Sequence, residues 1–354
     1  MKGLLKYLSP FAPDQSGATA VLYDLGGVMV ICDAGGCTGN ICGFDEPRWF
    51  EEGRAIFSAG LRDMDAILGR DDKLVAKLKK AVDQIGGDFV ALIGTPVPAV
   101  IATDYRALKK MAAKSVGLPV IGIECKGTAL YDEGAQSAWC ELFETFAEEK
   151  ENSLQTDRKT LGIIGMTPLD ISTTHPQDRM ALPESLQDFD QIWCYGMGAG
   201  LEEIKKAGTV SRNLIVSPSG LKAARKLQEH YGTPYETGYP FFTQEEIEKF
   251  TACAGKKVLV IHQQMAANEI RRVIEEASGP DGPQVVCGTW FMQDKEFKRE
   301  GDVRFTTEEK FREFVLGGDF DVIIGDPLLR RPVREFEGEY LGVAHFAISG
   351  YEGM

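Results

Sequence analysis

Three cysteines stand in a glycine-rich segment near the start of the chain. Cys32, Cys37 and Cys42 follow one another at five-residue intervals, with glycines between and around them. Glycine lets a backbone bend tightly and approach a bulky inorganic group, and its N–H groups can hydrogen-bond to cluster sulfides. Thiolates in such a loop suit an iron–sulfur cluster or zinc, although buried cysteines also serve as small apolar core residues.

The spacing of these cysteines limits what one chain can do alone. Zinc ribbons and ferredoxins place two cysteines with two residues between them, and this segment contains no such pair. One chain is therefore not expected to close a four-cysteine site locally. A cluster shared between two chains would supply the missing ligands.

The segments that position these residues alternate between short apolar runs and amphipathic stretches. This alternation predicts an α/β fold with parallel sheets covered on both faces. The apolar runs lie at residues 28–32, 89–94, 120–124, 161–165, 191–195, 214–217, 257–262, 284–287, 322–325 and 340–345. Polar breaks divide them into three doubly wound, Rossmann-like domains at residues 1–153, 154–252 and 253–354, arranged around a cleft. Ligands gather at the carboxyl ends of such strands, and the cysteine segment follows the first of them.

Composition excludes several classes of protein. The 354 residues carry 39 Lys and Arg against 53 Asp and Glu, a net charge of −14, which argues against a nucleic-acid-binding face. No apolar run reaches the roughly 18 residues of a membrane span, and residues 1–10 lack the apolar core of a signal peptide. We therefore expect a cytoplasmic protein with reduced cysteines and no membrane partner. The sequence contains no P-loop motif for binding ATP.

These residues resemble a known family. Nitrogenase component 1 subunits carry a His-Gly-x-x-Gly-Cys segment that is similar to residues 33–39 here, Asp33-Ala-Gly-Gly-Cys-Thr-Gly39, and its cysteine binds the P-cluster at the subunit interface. Further stretches resemble family segments in the same order, at residues 89–105, 120–127, 213–240, 257–279 and 319–327. The resemblance covers nearly the whole chain and implies three α/β domains around a central cleft.

Departures from the family pattern point to its shorter, nitrogenase-like reductases rather than to a dinitrogen-reducing subunit. Of the P-cluster cysteines only Cys37 carries over. The position of the family's first P-cluster cysteine falls near Asp14, which resembles the aspartate ligand of dark-operative protochlorophyllide reductase. Cys32 and Cys42 could supply further thiolates. The family's cysteine that binds the nitrogenase catalytic cofactor corresponds to Ser217 here. His345 is the candidate that lies nearest in sequence to the position of the cofactor's histidine ligand.

The resemblance implies a mechanism and its partners. A separate ATPase resembling the nitrogenase iron protein would deliver electrons to a [4Fe–4S] cluster shared between subunits of a homodimer or of a heteromer with a related chain. His262 is the candidate proton donor for reducing a substrate in the cleft. The expected metal ligands are Cys37, Cys42, Cys32 and Asp14, and the expected cofactor-binding residues are Ser217, Gln263, Gln264, Gly35, Gly36 and Gly39.

Two alternatives remain open at this stage. The chain could be a non-catalytic subunit, or a scaffold on which a metal cluster is assembled before transfer. It could also be a metal-free binding protein with a cleft of the periplasmic type, which the glycine-flanked cysteines disfavour.

Overall fold

Three parallel sheets form the framework of the protein. The computed structural model describes residues 5–149, 158–181 and 186–351. The first sheet has the strand order β2-β1-β3-β4, the second β6-β5-β7-β8 and the third β11-β10-β9-β12-β13, and every pairing within them is parallel. The strands are β1 (Val28–Ile31), β2 (Ile56–Ser58), β3 (Val90–Ile93), β4 (Val120–Ile123), β5 (Thr160–Ile164), β6 (Gln191–Cys194), β7 (Arg212–Ile215), β8 (Tyr235–Thr237), β9 (Val258–Ile261), β10 (Val286–Thr289), β11 (Val303–Arg304), β12 (Val322–Gly325) and β13 (Glu339–Gly342).

Helices lie between the strands and cover the sheets. Within the described residues they are α1 (Asp14–Leu22), α2 (Gly36–Asn40), α3 (Asp63–Leu68), α4 (Asp71–Ile85), α5 (Pro96–Val100), α6 (Tyr105–Val116), α7 (Tyr131–Phe146), α8 (Pro168–Ile171), α9 (Pro176–Arg179), α10 (Leu201–Lys205), α11 (Pro218–Tyr231), α12 (Gln244–Thr251), α13 (Gln264–Ser278), α14 (Glu308–Gly317) and α15 (Phe346–Ser349). In this part of the chain, no helix is both long and apolar enough to cross a bilayer.

Both faces of each sheet are buried. In the first sheet, Met29 and Ile31 pack toward α1 and α7, whereas Val28 and Val30 pack toward α4 and α6. Successive strand residues point to opposite faces, so a continuously apolar strand requires a helical layer on each side. The α/β architecture of doubly wound parallel sheets is therefore confirmed.

Each sheet reverses its winding direction at one point. The reversal lies between β1 and β3 in the first sheet, between β5 and β7 in the second, and between β9 and β12 in the third. A crevice opens outside the carboxyl ends of the strands at such a reversal. The domain boundaries at 153/154 and 252/253 stay predictions, and the first of them lies outside the described residues.

Two glycines let α1 cross α7 at very short range. A Cβ atom on Gly17 would lie 1.9 Å from the carbonyl oxygen of Tyr131, and one on Gly134 would lie 1.8 Å from that of Asp14. Since no side chain fits in this space, the two helices pack backbone to backbone. All nine residues of α1 are buried, and this contact fixes Asp14 at its first turn.

Candidate functional site

The cysteine segment leaves the carboxyl end of β1 as one continuous helical stretch. Asp33 precedes this stretch and ties it to the sheet edge. Its carboxylate accepts hydrogen bonds from the backbone N–H and the hydroxyl of Thr38 and from the hydroxyl of Ser58. The α2 helix then runs into a π-helical turn over Ile41–Asp45, a feature often found at functional sites. Ile41 is fully buried and anchors this turn in the core.

Cys37 lies half-buried where the loops after β1 and β3 meet. The Thr95 hydroxyl donates a hydrogen bond of 2.8 Å to the carbonyl of Cys32, and Thr95 also interacts with the Cys37 thiol. Burial raises the pKa of Cys37, the carboxylates of Asp33 and Asp14 raise it further, and the Thr95 contact lowers it. The free side chain is thus a neutral thiol, and a bound metal would be needed to hold the thiolate.

The structure does not bring Cys32 to the same surface. Its side chain is 1% exposed and packs in the core with Leu74, Leu78 and Leu108, on the face of the sheet that α4 and α6 cover. Burial raises the pKa of this thiol to about 12. Cys32 ends a strand at a position that points into the core, which is why it is separated from Cys37.

Cys42 is half-buried on the π-helical turn, and its charged neighbours differ from those of Cys37. Burial raises the pKa of its thiol and Glu46 raises it further, whereas Asp33 and Asp14 act on Cys37. Within the described residues, no three His, Cys, Asp or Glu side chains are grouped so that they could hold a metal ion. The ligand set Cys37, Cys42, Cys32 and Asp14 is therefore not assembled inside one chain, and its role stays a prediction.

Asp14 connects α1 to the loop after β4. Its carboxylate oxygens accept backbone hydrogen bonds from Gln15, Lys126 and Gly127 at 2.8–2.9 Å, and the side chain is buried. This places Asp14 beside Cys125, whose thiol pKa is raised well above its ordinary value by burial and then by Asp14. The loops after β1, β3 and β4 thus meet around Cys37, as expected for neighbouring strands of a parallel sheet.

The surface around Cys37 is open. A Cβ atom on Gly36 or Gly39 would have no other atom within 4 Å, and Gly35 has a φ of +121° that favours glycine. On the flanking elements, Phe44 is 74% and Val100 is 85% exposed. Exposed apolar side chains thus flank the open backbone around Cys37.

His262, Gln263, Gln264 and Ser217 lie together, where the reversal points of the second and third sheets face each other. The side chain of Gln263 donates to the carbonyl of Val216 at 2.7 Å, and Gln264 exchanges two hydrogen bonds with the backbone of Asp294. All four are at most 4% exposed, so they lie inside the protein rather than along an open cleft. Their cofactor-binding role stays a prediction.

His262 uses both ring nitrogens in hydrogen bonds. Its Nδ1 accepts from the backbone N–H of Gln263 at 2.9 Å, and its Nε2 lies 3.2 Å from the carbonyl of Ala344, to which it donates. Burial lowers the pKa of His262 to about 4. The ring is therefore neutral, and it must break the bond to Ala344 before it can donate a proton to a substrate. Its role as a proton donor stays a prediction.

A chain of buried polar groups joins the surroundings of all three sheets. The Tyr131 hydroxyl donates to Asp170 at 2.9 Å and lies 3.3 Å from Nε2 of His345, and Thr167 donates to the same carboxylate at 2.6 Å. Ser217, whose hydroxyl lies 3.1 Å from that of Ser219, also interacts with Asp170. Burial raises the pKa of Asp170 to about 7, although these hydrogen bonds act against it. Asp170 can thus hold or release a proton near neutral pH.

Tyr131 and Asp170 were not predicted from the sequence. The signal for Asp170 is its place in the loop after β5, at the reversal point of the second sheet. Tyr131 had no comparable signal, because an aromatic residue at the start of a helix is usually a packing residue.

Comparisons with known proteins agree with this architecture. A family model described as nitrogenase component 1 type oxidoreductase matches residues 14–279, about three quarters of the chain. Nitrogenase iron-molybdenum cofactor biosynthesis protein NifE of Bradyrhizobium diazoefficiens is 25% identical over 204 residues. That match covers 57% of this chain and 36% of the relative, so the chain spans little more than a third of that protein's length.

Solved structures show the same fold. Nitrogenase Cp1 at pH 6.5 superposes with a TM-score of 0.71 at 12% identity, covering 97% of this chain and 87% of that one. Nitrogenase Cp1 at pH 5 gives a TM-score of 0.68 at 13% identity, covering 100% and 86%. Together with the family match, which spans well over half of the sequence, this confirms the resemblance. The chain belongs to the nitrogenase component 1 type oxidoreductases.

Proposed function

We propose that this protein is the component 1-like part of a nitrogenase-like reductase. It takes electrons from an iron-protein-like ATPase through a [4Fe–4S] cluster shared between two chains, and it passes them to a bound substrate. The observation that carries the proposal is Cys37, a half-exposed thiol at the carboxyl edge of the first sheet, on an open surface.

The residues around Cys37 fit such a cluster. Cys37 would supply a thiolate, and the unobstructed backbone at Gly36 and Gly39 leaves room for a bulky inorganic group. Thr95 interacts with the sulfur and lowers the pKa of the thiol. When bound, an iron–sulfur cluster supplies one-electron acceptance and donation.

Sharing between two chains explains why the ligand set of one chain is incomplete. Among the residues that the structure describes there is no closed metal site, and Phe44 and Val100 expose apolar surface on the elements that flank Cys37. A second copy, or a related subunit, placed against this surface would bury these side chains and bring a second thiolate. Both effects favour an assembly around the cluster.

A nitrogenase-type catalytic cofactor does not fit among the buried polar groups around Ser217, Asp170 and His345, where the surroundings of the three sheets meet. By the resemblance, Ser217 stands where the thiolate ligand would be, and it is fully buried with its hydroxyl 3.1 Å from that of Ser219. The remaining space is filled by His262, His345 and Tyr131, which contact one another. We therefore propose that the substrate is not dinitrogen and that it is reduced without that cofactor.

Electron paramagnetic resonance of anaerobically purified protein tests this function. We expect a signal of a reduced cluster when the cognate ATPase, a reductant and MgATP are all present. Omitting MgATP is the matched control and should leave only the signal that the reduced ATPase gives by itself. A cluster that is never reduced in the presence of the complete mixture would contradict the proposal.

The second candidate function is a scaffold for cluster assembly, and the similarity to a cofactor biosynthesis protein favours it. A scaffold would release its iron to an acceptor apoprotein, whereas a reductase would retain it through many turnovers. Iron analysis of the chain after incubation with an apo-ferredoxin separates the two functions.

A further inference from the structure

Asp14 is buried, and backbone N–H groups surround its carboxylate. Its Oδ1 accepts hydrogen bonds from the N–H groups of Gln15 at 2.9 Å and Gly127 at 2.8 Å, and its Oδ2 accepts one from Lys126 at 2.8 Å. The residue is only 4% exposed, so an iron atom could reach these oxygens only by displacing a backbone donor. A displaced N–H group would stay buried without an acceptor, which costs free energy.

The loop that Asp14 holds packs against the start of α5. Gly127 donates its N–H to Asp14 from a left-handed conformation, with a φ of +69°, that favours glycine. A Cβ atom on Gly127 would lie 2.3 Å from Cγ of Pro96, so the loop backbone and the proline ring are in direct contact. Pro96 follows Thr95, which interacts with the Cys37 thiol. The position of this loop therefore affects the residue that lies against the Cys37 sulfur.

The same helix also holds the π-helical turn. The Ser16 hydroxyl donates a hydrogen bond of 2.6 Å to Asp45, which is the last residue of that turn. The α1 helix cannot shift easily, because Gly17 and Gly134 bring its backbone directly against that of α7. The start of α1 thus ties two of the segments around Cys37 to one closely packed helix.

We propose that Asp14 is a positioning residue and that it does not bind the metal. Its carboxylate holds the loop after β4, this loop packs against Pro96, and the contact keeps Thr95 beside the Cys37 sulfur. The inference rests on the proposed function only in naming the positioned site as the cluster site. It replaces the expected ligand role of Asp14, so the other ligands of a shared cluster must be different side chains.

Limited trypsin digestion of the iron-free protein tests the positioning role without any metal. Trypsin cleaves after lysine and arginine, and Lys126 is exposed in the loop that Asp14 holds. We expect cleavage after Lys126 to be at least about tenfold faster in Asp14→Ala than in the wild type, because a loop that loses its hydrogen bonds opens more often. Asp326→Asn is the matched control and should leave this rate unchanged. It changes another buried carboxylate that accepts backbone hydrogen bonds, in this case from Leu328 and His345.

Iron content after anaerobic reconstitution separates a positioning role of Asp14 from a ligand role. Asp14→Asn keeps an oxygen that can accept the hydrogen bonds from Gln15 and Gly127, so we expect it to retain most of the wild-type iron. Asp14→Cys offers a thiolate to a cluster but no oxygen to the loop, so we expect it to bind less iron than Asp14→Asn. A ligand role predicts the reverse order, because a thiolate binds iron well and a neutral amide does not.

Three results would overturn the inference. The first is the reverse order of iron content, and the second is a wild-type rate of cleavage after Lys126 in Asp14→Ala. The third is an equal acceleration after Lys126 and after Lys298, an exposed residue on the loop before β11, because Asp14 would then stabilise the whole fold rather than this loop. If the wild type binds no iron while Asp14→Ala is still cleaved faster after Lys126 alone, the cluster proposal fails and the positioning of the loop stands.

Discussion

The imidazole rings of His262 and His345 stack face to face, with centroids 4.3 Å apart and planes inclined by 9°. Both rings are buried, and Tyr131 and Tyr239 pack against their edges. Two positive charges at this distance inside the protein would repel strongly, and burial already disfavours each of them. Burial and the neighbouring His262 lower the pKa of His345 well below its ordinary value.

The first prediction concerns the protonation of this pair. We expect His262 to stay neutral down to about pH 5, because burial lowers its pKa to about 4. Nitrogen-detected NMR of the imidazole resonances follows protonation directly, with the surface residue His230 as an internal reference. A His262 midpoint near 6.5, the ordinary value for histidine, would show that the ring is accessible to water.

The second prediction concerns Asp170→Asn. Burial raises the pKa of Asp170 to about 7, so the folded protein holds a proton that the unfolded chain releases near pH 4. The wild type therefore loses stability as pH rises between about 4 and 7, by at most about 1.4 kcal/mol per pH unit. Because His262 acts in the opposite direction in both proteins, the difference in unfolding free energy between wild type and variant isolates Asp170.

Urea denaturation across this pH range measures that difference, and the exposed Asp178→Asn is the control. We expect the unfolding free energy of the wild type to exceed that of Asp170→Asn by an amount that decreases steadily from pH 4 to pH 7. A pH-independent difference would mean that Asp170 is ionised throughout the range.

The third prediction concerns Arg48, which anchors the cysteine segment. Its buried guanidinium binds Glu46 and Asp24 and the carbonyls of Ala20 and Gly196. Arg48→Met leaves Glu46 buried without its partner and should destabilise the protein by about 3–5 kcal/mol. Arg54→Met, in a more exposed pair with Asp24, should cost about 1 kcal/mol or less. Urea denaturation measures the unfolding free energy of both variants. If Arg48→Met and Arg54→Met lost the same amount of it, this ranking would be wrong.

The fourth prediction concerns the crossing of α1 and α7. A methyl group added in Gly134→Ala would lie 1.8 Å from the Asp14 carbonyl oxygen, so the helices must separate. We expect a loss of about 3 kcal/mol, at the upper end of typical overpacking, together with lower iron binding because Asp14 moves. Gly122→Ala has no atom within 4 Å of the new methyl group and should be nearly neutral. A thermal midpoint of Gly134→Ala equal to that of Gly122→Ala would contradict the packing account.

Sequence patterns predicted the central strands but missed one edge strand of each sheet. Residues 322–325 were predicted to be a strand and form β12, because a run of apolar residues buried on both faces has a distinct pattern. The missed strands β2, β8 and β11 have three residues or fewer, are largely half-exposed, and each lies at a sheet edge. These short strands form because a neighbouring strand hydrogen-bonds to them, and their own residues have little of the apolar pattern that predicts a strand.

The candidate site was predictable where chemistry follows the strand ends. Cys37 stood out through its glycines, and the structure places it on an open surface at the end of β1. The spacing of the cysteines did not predict that Cys32 is buried. At a strand end, a shift of one residue changes whether a side chain faces the core or the loop. The groove of about 1010 Å³ between Phe44 and Phe346 is formed by segments hundreds of residues apart in sequence, so no local pattern revealed it.

Iron content per chain after anaerobic reconstitution tests the central claim most directly. A [4Fe–4S] cluster shared by two chains predicts about two iron atoms per chain for the wild type and for Cys140→Ala, a buried thiol in the contact between α7 and α11. Cys37→Ala should bind almost none while keeping the circular dichroism of the wild type. A Cys37→Ala protein with as much iron as the wild type would contradict the claim.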